Sequence, residues 1–204
     1  MRDVSAETGP TGGRTSEALR DAALTLFAER GYELTTMRHL AEAVGIQAPS
    51  LYNHIPSKQA LLVEITHGTM DALLRLLQEA KRRAGPDPAD RLVAATEAHV
   101  RFHCEHRREA FIGNREISSL EPGPRQELLA KRRRYEHGFR RLILDGARAG
   151  TFTVRSPKLT SFAILEMGIG VATWFREGGP LSVDEVAAVH GELALRMVGA
   201  APSR

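Results

Sequence analysis

Residues 35–62 read TTMRHLAEAVGIQAPSLYNHIPSKQALL, and this stretch decides the fold. It predicts a helix, a turn at Gly45, a short second helix and the start of a third. Glycine commonly follows the last residue of a helix because it adopts a positive φ at little cost. The second helix is too short to be stable alone, so it must dock on its neighbours. The apolar residues that would form this contact are Leu40, Ala41, Val44, Ile46, Leu51 and Ile55.

The side chains that the short helix leaves outside are polar. A compact helix pair that exposes a polar second helix is the arrangement in which a helix-turn-helix presents its recognition helix to the major groove of DNA. The stretch therefore predicts a DNA-binding unit. Its exposed polar residues are Gln47, Ser50, Tyr52, Asn53 and His54.

The run from Gly45 to Lys58, with Thr36 ahead and Leu61 behind, closely resembles the DNA-binding signature of TetR-family transcriptional regulators. That family usually has an aromatic residue where this chain has Ile55, and an acidic residue where it has Gln59. The resemblance implies that three residues face base edges, that four bind phosphates and that Arg38 could do either. These are Gln47, Ser50 and Asn53 for bases, and Thr36, Tyr52, His54 and Lys58 for phosphates.

Composition places the chain among ordinary globular proteins. Of its 204 residues, 42% are hydrophobic and 26% are charged, and no apolar run is long enough to span a bilayer. The single cysteine, Cys104, excludes an intramolecular disulfide and fits a reducing compartment. Residues 1–13 lack the apolar segment of a signal peptide. We therefore expect a cytoplasmic protein with no membrane partner.

Charge is distributed unexpectedly for a DNA-binding protein. Residues 1–60 carry six Lys/Arg against seven Asp/Glu, whereas residues 75–155 carry eighteen against eleven. Two explanations remain open. The acidic side chains could lie away from the reading face of the small domain, or the basic excess could serve a negatively charged ligand.

Helical periodicity continues to the end of the chain, and we find no strand pattern and no internal repeat. The predicted fold is all-α, with about nine helices, as the family resemblance also implies. We expect an arm over 1–13, a three-helix DNA-binding domain over 14–60 and a ligand-binding and dimerisation domain over 61–204. The predicted helices are Ser16–Arg30, Met37–Val44, Ala48–His54, one capped by Ser57, Ala89–His106, Ala110–Ser119, Arg125–Ala149, Pro157–Arg176 and Val183–Val198.

The segment from Trp174 to Ser182 places an aromatic pair at a helix end before a Gly-Gly-Pro break. It resembles a TetR subgroup of repressors that sense acyl-coenzyme A thioesters; plain helix termination is the alternative. The resemblance implies a small, apolar, anionic effector, with phosphates held by Arg115 or by the Arg107/Arg108 pair. The predicted ligand-binding residues are Phe102, His103, Phe111, Arg115, Tyr135, Phe139, Ile164, Met167 and Trp174.

A different effector class stays open. Efflux regulators of the same family bind neutral or cationic drugs, for which only Glu116 and Glu166 are candidate partners here. The basic run Lys131–Arg134 is interpreted as the solvated face of a long helix, or as the mouth of a phosphate-binding site.

Small and apolar residues near the C-terminus predict a homodimer. Two helices from each chain could pack as a four-helix seam, and two half-sites are needed for tight operator binding. The predicted seam residues are Gly168, Ala172, Val186, Val189, Leu193 and Met197.

Other functional classes find little support in the sequence. His99, His103 and His106 share a helix face suited to a metal, but no convincing fourth ligand accompanies them. We find no Gly-rich phosphate loop, no Gly-x-Ser-x-Gly and no paired carboxylates with an evident role. We therefore predict no catalytic residues, no metal and no cofactor. An all-helical enzyme or interaction protein is the remote alternative to a ligand-responsive repressor that binds a palindromic operator.

Overall fold

The computed structural model describes the backbone of residues 11–200 and the side chains of residues 13–200. Within this range the chain forms nine α-helices and one short 3-10 helix, as the all-α prediction required. The α-helices are α1 Thr11–Arg30, α2 Met37–Val44, α3 Ala48–Leu51, α4 Lys58–Arg83, α5 Pro88–Glu105, α6 Arg107–Arg115, α7 Pro122–Arg148, α8 Pro157–Trp174 and α9 Val183–Met197, and the 3-10 helix is Ile117–Ser119.

Several boundaries differ from the sequence-based ones. Helix α1 begins at Thr11, so residues 11–13 of the predicted arm are helical, and residues 1–10 lie outside the described range. Helix α3 ends at Leu51, and the chain continues in a turn in which His54 N donates to the carbonyl of Leu51 at 2.9 Å. The helix expected over 110–119 is divided between α6 and the 3-10 helix.

Local capping signals explain the helix ends in the small domain. The Thr36 hydroxyl accepts from the backbone N–H of His39, and Gly45 closes α2 in the left-handed region at φ 72°. The Ser57 hydroxyl accepts from Ala60 N at the start of α4. These signals are local, and α2 accordingly has the bounds predicted from the sequence.

The small domain and the large domain share one apolar core. In the small domain Phe27, Leu40 and Leu51 are fully buried, and α4 continues this core into the large domain through Leu61 and Ile65. Helix α5 lies at the centre of the large domain, packed against α4, α7, α8 and α9. No helix of the described residues has the length and apolar composition needed to cross a bilayer.

Candidate nucleic-acid interface and ligand cavity

The predicted reading surface is accessible in the structure. Tyr52 is 57% exposed, although it follows the fully buried Leu51, and His54 and Lys58 are half-buried. Burial of Leu51 docks α3 and turns its polar side chains outward. The remaining residues predicted to contact DNA are all exposed: Thr36, Arg38, Gln47, Ser50 and Asn53.

Lys58 has a structural contact that the sequence did not indicate. Its ammonium donates to the carbonyl of Tyr32 at 2.8 Å and lies 4.1 Å from the centre of the Tyr32 ring. This contact ties the start of α4 to the connection between α1 and α2. A lysine ammonium has three N–H donors, so a phosphate contact by Lys58 stays a prediction.

Two acidic residues of the small domain are paired in ways that reduce their effect on the reading surface. Glu42 accepts a hydrogen bond from Arg38, one turn earlier in α2, at 2.7 Å. Asp21 lies against the large domain, where it accepts from Arg108 of α6 at 3.0 Å. Asp21 thus lies away from the reading surface, as the first of the two explanations requires, whereas Glu42 lies beside Arg38, a residue predicted to contact DNA.

A polar network, comprising Tyr32, Gln59, Glu116, Ser119 and Glu121, joins the two domains. The Glu116 carboxylate is buried and accepts from the backbone N–H of Tyr32 at 3.3 Å and from the Ser119 hydroxyl at 2.8 Å. The Gln59 amide donates to the Tyr32 hydroxyl and the Ser119 carbonyl, and its oxygen accepts from Glu121 N. We call this set the interdomain network.

The interdomain network explains why an amide stands at position 59. The Gln59 nitrogen faces the carbonyl of Ser119 at 3.0 Å, and a carboxylate there would place two acceptors against each other. The departure from the family's usual acidic residue was visible in the sequence. The structural reason for the amide was not visible in the sequence, because its partners Ser119 and Glu121 are about sixty residues away.

A cavity of about 260 Å³ lies inside the large domain, between α4, α5, α6, α7 and α8. Its wall is mainly apolar and carries a few polar and charged groups, which suits a small amphipathic ligand. The lining residues are Thr66, Thr69, Met70, Leu73, His99, His103, Ala110, Gly113, Asn114, Leu128, Leu129, Arg132, Arg133, Tyr135, Glu136, Phe162, Leu165, Glu166 and Ile169.

Two buried histidines and a tyrosine form the polar part of the wall. Nδ1 of His99 lies 3.0 Å from the Tyr135 hydroxyl, and Nε2 lies 3.1 Å from the carbonyl of Leu165. Nδ1 of His103 lies 2.8 Å from the carbonyl of His99. Burial lowers the pKa of His103 to about 4 and that of His99 well below its ordinary value. Both rings are therefore neutral at pH 7.

Most of the charged side chains at the cavity have hydrogen-bond or charge partners within the chain. Arg132 donates to the Gly113 carbonyl at 3.2 Å and to Oδ1 of Asn114 at 2.9 Å, which attaches α7 to the end of α6. Burial lowers the pKa of Arg132, and the carboxylate of Glu166 acts in the opposite direction. The buried Glu136 accepts from the Ser161 hydroxyl at 2.7 Å.

The cavity coincides with the predicted ligand-binding residues at His103 and Tyr135 only. Among the others, Arg115 is mostly exposed, and Phe111 and Trp174 are partly exposed, all outside the cavity wall. Arg107 and Arg108 bond Ala172 and Asp21 instead. The other predicted residues that do not line it are Phe102, Phe139, Ile164 and Met167.

The run Lys131–Arg134 was interpreted either as a solvated face or as the mouth of a phosphate-binding site, and two of its residues, Arg132 and Arg133, line the cavity. The sequence did hold a signal, because Arg132, Tyr135, Glu136 and Phe139 recur with helical spacing and so share one face of α7. The residues of α4 in the wall, Thr66, Thr69, Met70 and Leu73, have the same helical spacing and so share one face of that helix.

His99, His103 and His106 do not form a metal site with other ligands in the described part of the chain. Over the described residues no group of three His, Cys, Asp or Glu side chains has a geometry that could hold a metal ion. Cys104 is buried, and burial raises its pKa to about 11, which makes its thiol unreactive at pH 7.

The outer faces of α8 and α9 carry exposed apolar side chains next to charged ones such as Glu192 and Arg196. Of the residues predicted for the seam, Val189 and Met197 are exposed and Leu193 and Ala172 are half-buried. Gly168 and Val186 are buried inside the chain, Gly168 against His99 and Val186 with Val100 and Val171, so these two are not on those faces. Exposed apolar residues absent from the prediction are Leu159 on α8 and Leu181 just before α9, whereas the partly exposed Phe162 lines the cavity.

Comparison with known proteins covers nearly the whole chain. Residues 19–65 match the family model of bacterial regulatory proteins of the tetR family, and residues 85–198 match that of the tetracyclin repressor-like C-terminal domain. The HTH-type transcriptional repressor KstR2 of Rhodococcus jostii is 31% identical over 194 residues, which are 93% of either chain.

Solved structures give the same picture. A regulatory protein in the tetR family from Rhodococcus RHA1 superposes with a TM-score of 0.85 at 32% identity, covering 92% of this chain and 98% of that one. AibR in complex with isovaleryl coenzyme A and operator DNA superposes with a TM-score of 0.78, covering 92% of this chain and all of that one. At 22% identity the AibR likeness shows the fold alone.

Proposed function

Since the chain belongs to the TetR family of bacterial regulatory proteins, we propose that it is a ligand-responsive repressor that binds a palindromic operator as a homodimer and is released by an acyl-coenzyme A. The observation that carries the effector class is the cavity, which combines an apolar wall with two arginines. An acyl chain would bury against the apolar wall at ~0.8 kcal/mol per methylene. Arg132 and Arg133 would meet the polar part of the thioester or its phosphates.

A cationic drug is the second candidate, and it fits the cavity less well. Glu116 belongs to the interdomain network and does not line the cavity, whereas Glu136 and Glu166 do. Both lining carboxylates have basic neighbours: Arg140 lies 3.6 Å from Glu136, and Arg132 interacts with Glu166. Carboxylates that are already compensated attract a cation weakly.

Helix α6 supports a route from the cavity to the DNA-binding domain. Gly113 and Asn114 at its end line the cavity and accept from Arg132, and Glu116 directly after it bonds Tyr32. A ligand that draws Arg132 toward itself would shift α6 and with it the interdomain network. To release the operator, the ligand needs only to bind the two domain arrangements with different affinities.

We expect acyl-coenzyme A to release the protein from an operator fragment that has been selected out of random duplex DNA. We expect Arg132→Ala to weaken the binding of acyl-coenzyme A to the protein by about tenfold or more. Removing a hydrogen bond from a charged donor costs ~1.5–3 kcal/mol. Calorimetry with hexanoyl-coenzyme A measures effector binding, and fluorescence anisotropy of labelled operator measures release from DNA. Arg115→Ala is the matched control, because Arg115 lies outside the cavity wall. Release by a cationic dye and not by the thioester would contradict the effector class.

We expect Val189→Asp to convert the homodimer into monomers at micromolar concentration. Val189 is 52% exposed on α9, where a charge would be desolvated on association. Sedimentation velocity measures the change. Leu34→Asp is the control, because Leu34 is 73% exposed but belongs to the small domain. A monomeric parent protein, or a variant that remains dimeric, would overturn the seam.

A further inference from the structure

Hydrogen-bond direction fixes the proton on each histidine of the cavity. A carbonyl oxygen only accepts, so Nε2 of His99, 3.1 Å from the Leu165 carbonyl, carries the hydrogen. The ring is buried and neutral, which leaves Nδ1 without a proton. The Tyr135 hydroxyl therefore donates to Nδ1 of His99 and has no proton to offer a ligand.

The same reasoning applies to His103. Its Nδ1 faces the carbonyl of His99 at 2.8 Å and must donate, so in the neutral ring Nε2 is a bare acceptor. His103 lines the cavity, and none of the described residues forms a hydrogen bond with its Nε2. The cavity thus contains an acceptor that a bound molecule could satisfy.

The neighbouring hydroxyl groups cannot supply that donor. Thr66 donates to the Leu62 carbonyl at 2.8 Å, and Thr69 donates to the Ile65 carbonyl at 2.7 Å. Each therefore offers the cavity lone pairs only. Among the described residues of this part of the wall, the hydroxyl and ring groups on α4, α5 and α7 next to the histidines act as acceptors toward a ligand. The strong donors are the two arginines, of which Arg132 is already shared with the end of α6 and Arg133 is exposed.

We propose that the effector carries a hydroxyl group on its buried acyl part and donates it to Nε2 of His103. This inference rests on the proposed function, since it takes the cavity as the acyl-coenzyme A site. A ketone at the same place would set its own acceptor against Nε2, and a methylene would leave Nε2 without a partner. The cavity would therefore distinguish a hydroxyacyl thioester from its oxo and unsubstituted counterparts, which have nearly the same size.

The test compares three ligands on the full chain by calorimetry at pH 7.5: 3-hydroxyhexanoyl-, hexanoyl- and 3-oxohexanoyl-coenzyme A, with the two hydroxy enantiomers measured separately. We expect the better enantiomer to bind about tenfold more tightly than hexanoyl-coenzyme A, the gain typical of one neutral hydrogen bond, and the oxo compound to bind most weakly. His103→Phe should remove the difference between the three. Met70→Leu, an apolar change in the same wall, should keep their order.

The outcomes separate the two proposals. Equal binding of the hydroxy and unsubstituted thioesters by the parent protein, or tighter binding of the oxo compound, overturns the hydroxyl inference while the acyl-coenzyme A proposal stands. If none of the thioesters binds, the effector class fails. Thermal denaturation with cyclohexanol and with cyclohexanone then decides the inference: greater stabilisation by the alcohol supports it, and equal or smaller stabilisation overturns it.

Discussion

Replacing Gly168 by leucine is expected to lower the free energy of unfolding by about 3 kcal/mol, because the new side chain has no space inside the chain. A Cβ atom on Gly168 would lie 2.7 Å from Nε2 of His99, nearer still to Cδ2, and 3.4 Å from a methyl group of Val100. His99 would have to leave its place between Tyr135 and Leu165. Urea denaturation at a fixed protein concentration measures the loss, and effector binding should be lost with it.

Gly170 provides the matched control on the same helix. A Cβ atom there meets no other residue of the chain within 4 Å, and alanine favours a helix over glycine by ~1 kcal/mol. We therefore expect Gly170→Ala to leave the unfolding midpoint unchanged or to raise it. If Gly168→Leu unfolds at the parent's urea concentration, the orientation of α8 described above is incorrect.

Gln59→Ala is expected to weaken the coupling between effector binding in the large domain and operator binding in the small domain. The alanine removes the hydrogen bonds to Tyr32, Ser119 and Glu121 but leaves the cavity wall and the reading surface unchanged. Effector affinity should stay within twofold of the parent value, whereas the ratio of operator affinities without and with effector should fall about fivefold or more. Anisotropy with labelled operator, with and without saturating acyl-coenzyme A, measures this ratio.

Two further variants sharpen the Gln59 experiment. Gln59→Glu restores the acidic residue usual in the family, and it should reduce coupling further than alanine does, because a carboxylate would face the Ser119 carbonyl. Gln78→Ala, at an exposed position of the same helix, should leave coupling unchanged. Full coupling in Gln59→Ala would show that the signal passes elsewhere, for instance through the ion pair of Arg20 with Glu109.

The DNA-binding unit could be predicted from the sequence because its determinants are neighbours in the chain. Thr36 caps α2, Gly45 ends it, and Ser57 begins α4, so the bounds of α2 were correct and the start of α4 was placed within a residue. Alternation of buried Leu51 with exposed Tyr52 follows from the same short segment. No distant residue has to be known for any of these features.

The residues that line the cavity were harder to predict from the sequence, because five helices contribute to its wall. Helix α8 is apolar on nearly all sides from Ile164 to Trp174, so periodicity could not tell its core face from its outer face. Gly168 was therefore assigned to the outside, although His99 covers it. The sequence could not decide whether Arg132 lies on a solvated face or at the mouth of a phosphate-binding site, because the turn of α6 that accepts from it is distant in sequence.

The interdomain network also bears on how regulators of this architecture diversify. If the whole DNA-binding domain, residues 14–60, were exchanged between relatives, the donor's residue 59 would lie against the host's Ser119 and Glu121. A hybrid with the usual acidic residue would recognise its new operator and bind the old ligand, yet respond to it poorly. If Gln59 carries the coupling, a hybrid will keep both its operator and its ligand response only when residue 59 and residues 116–121 come from the same parent.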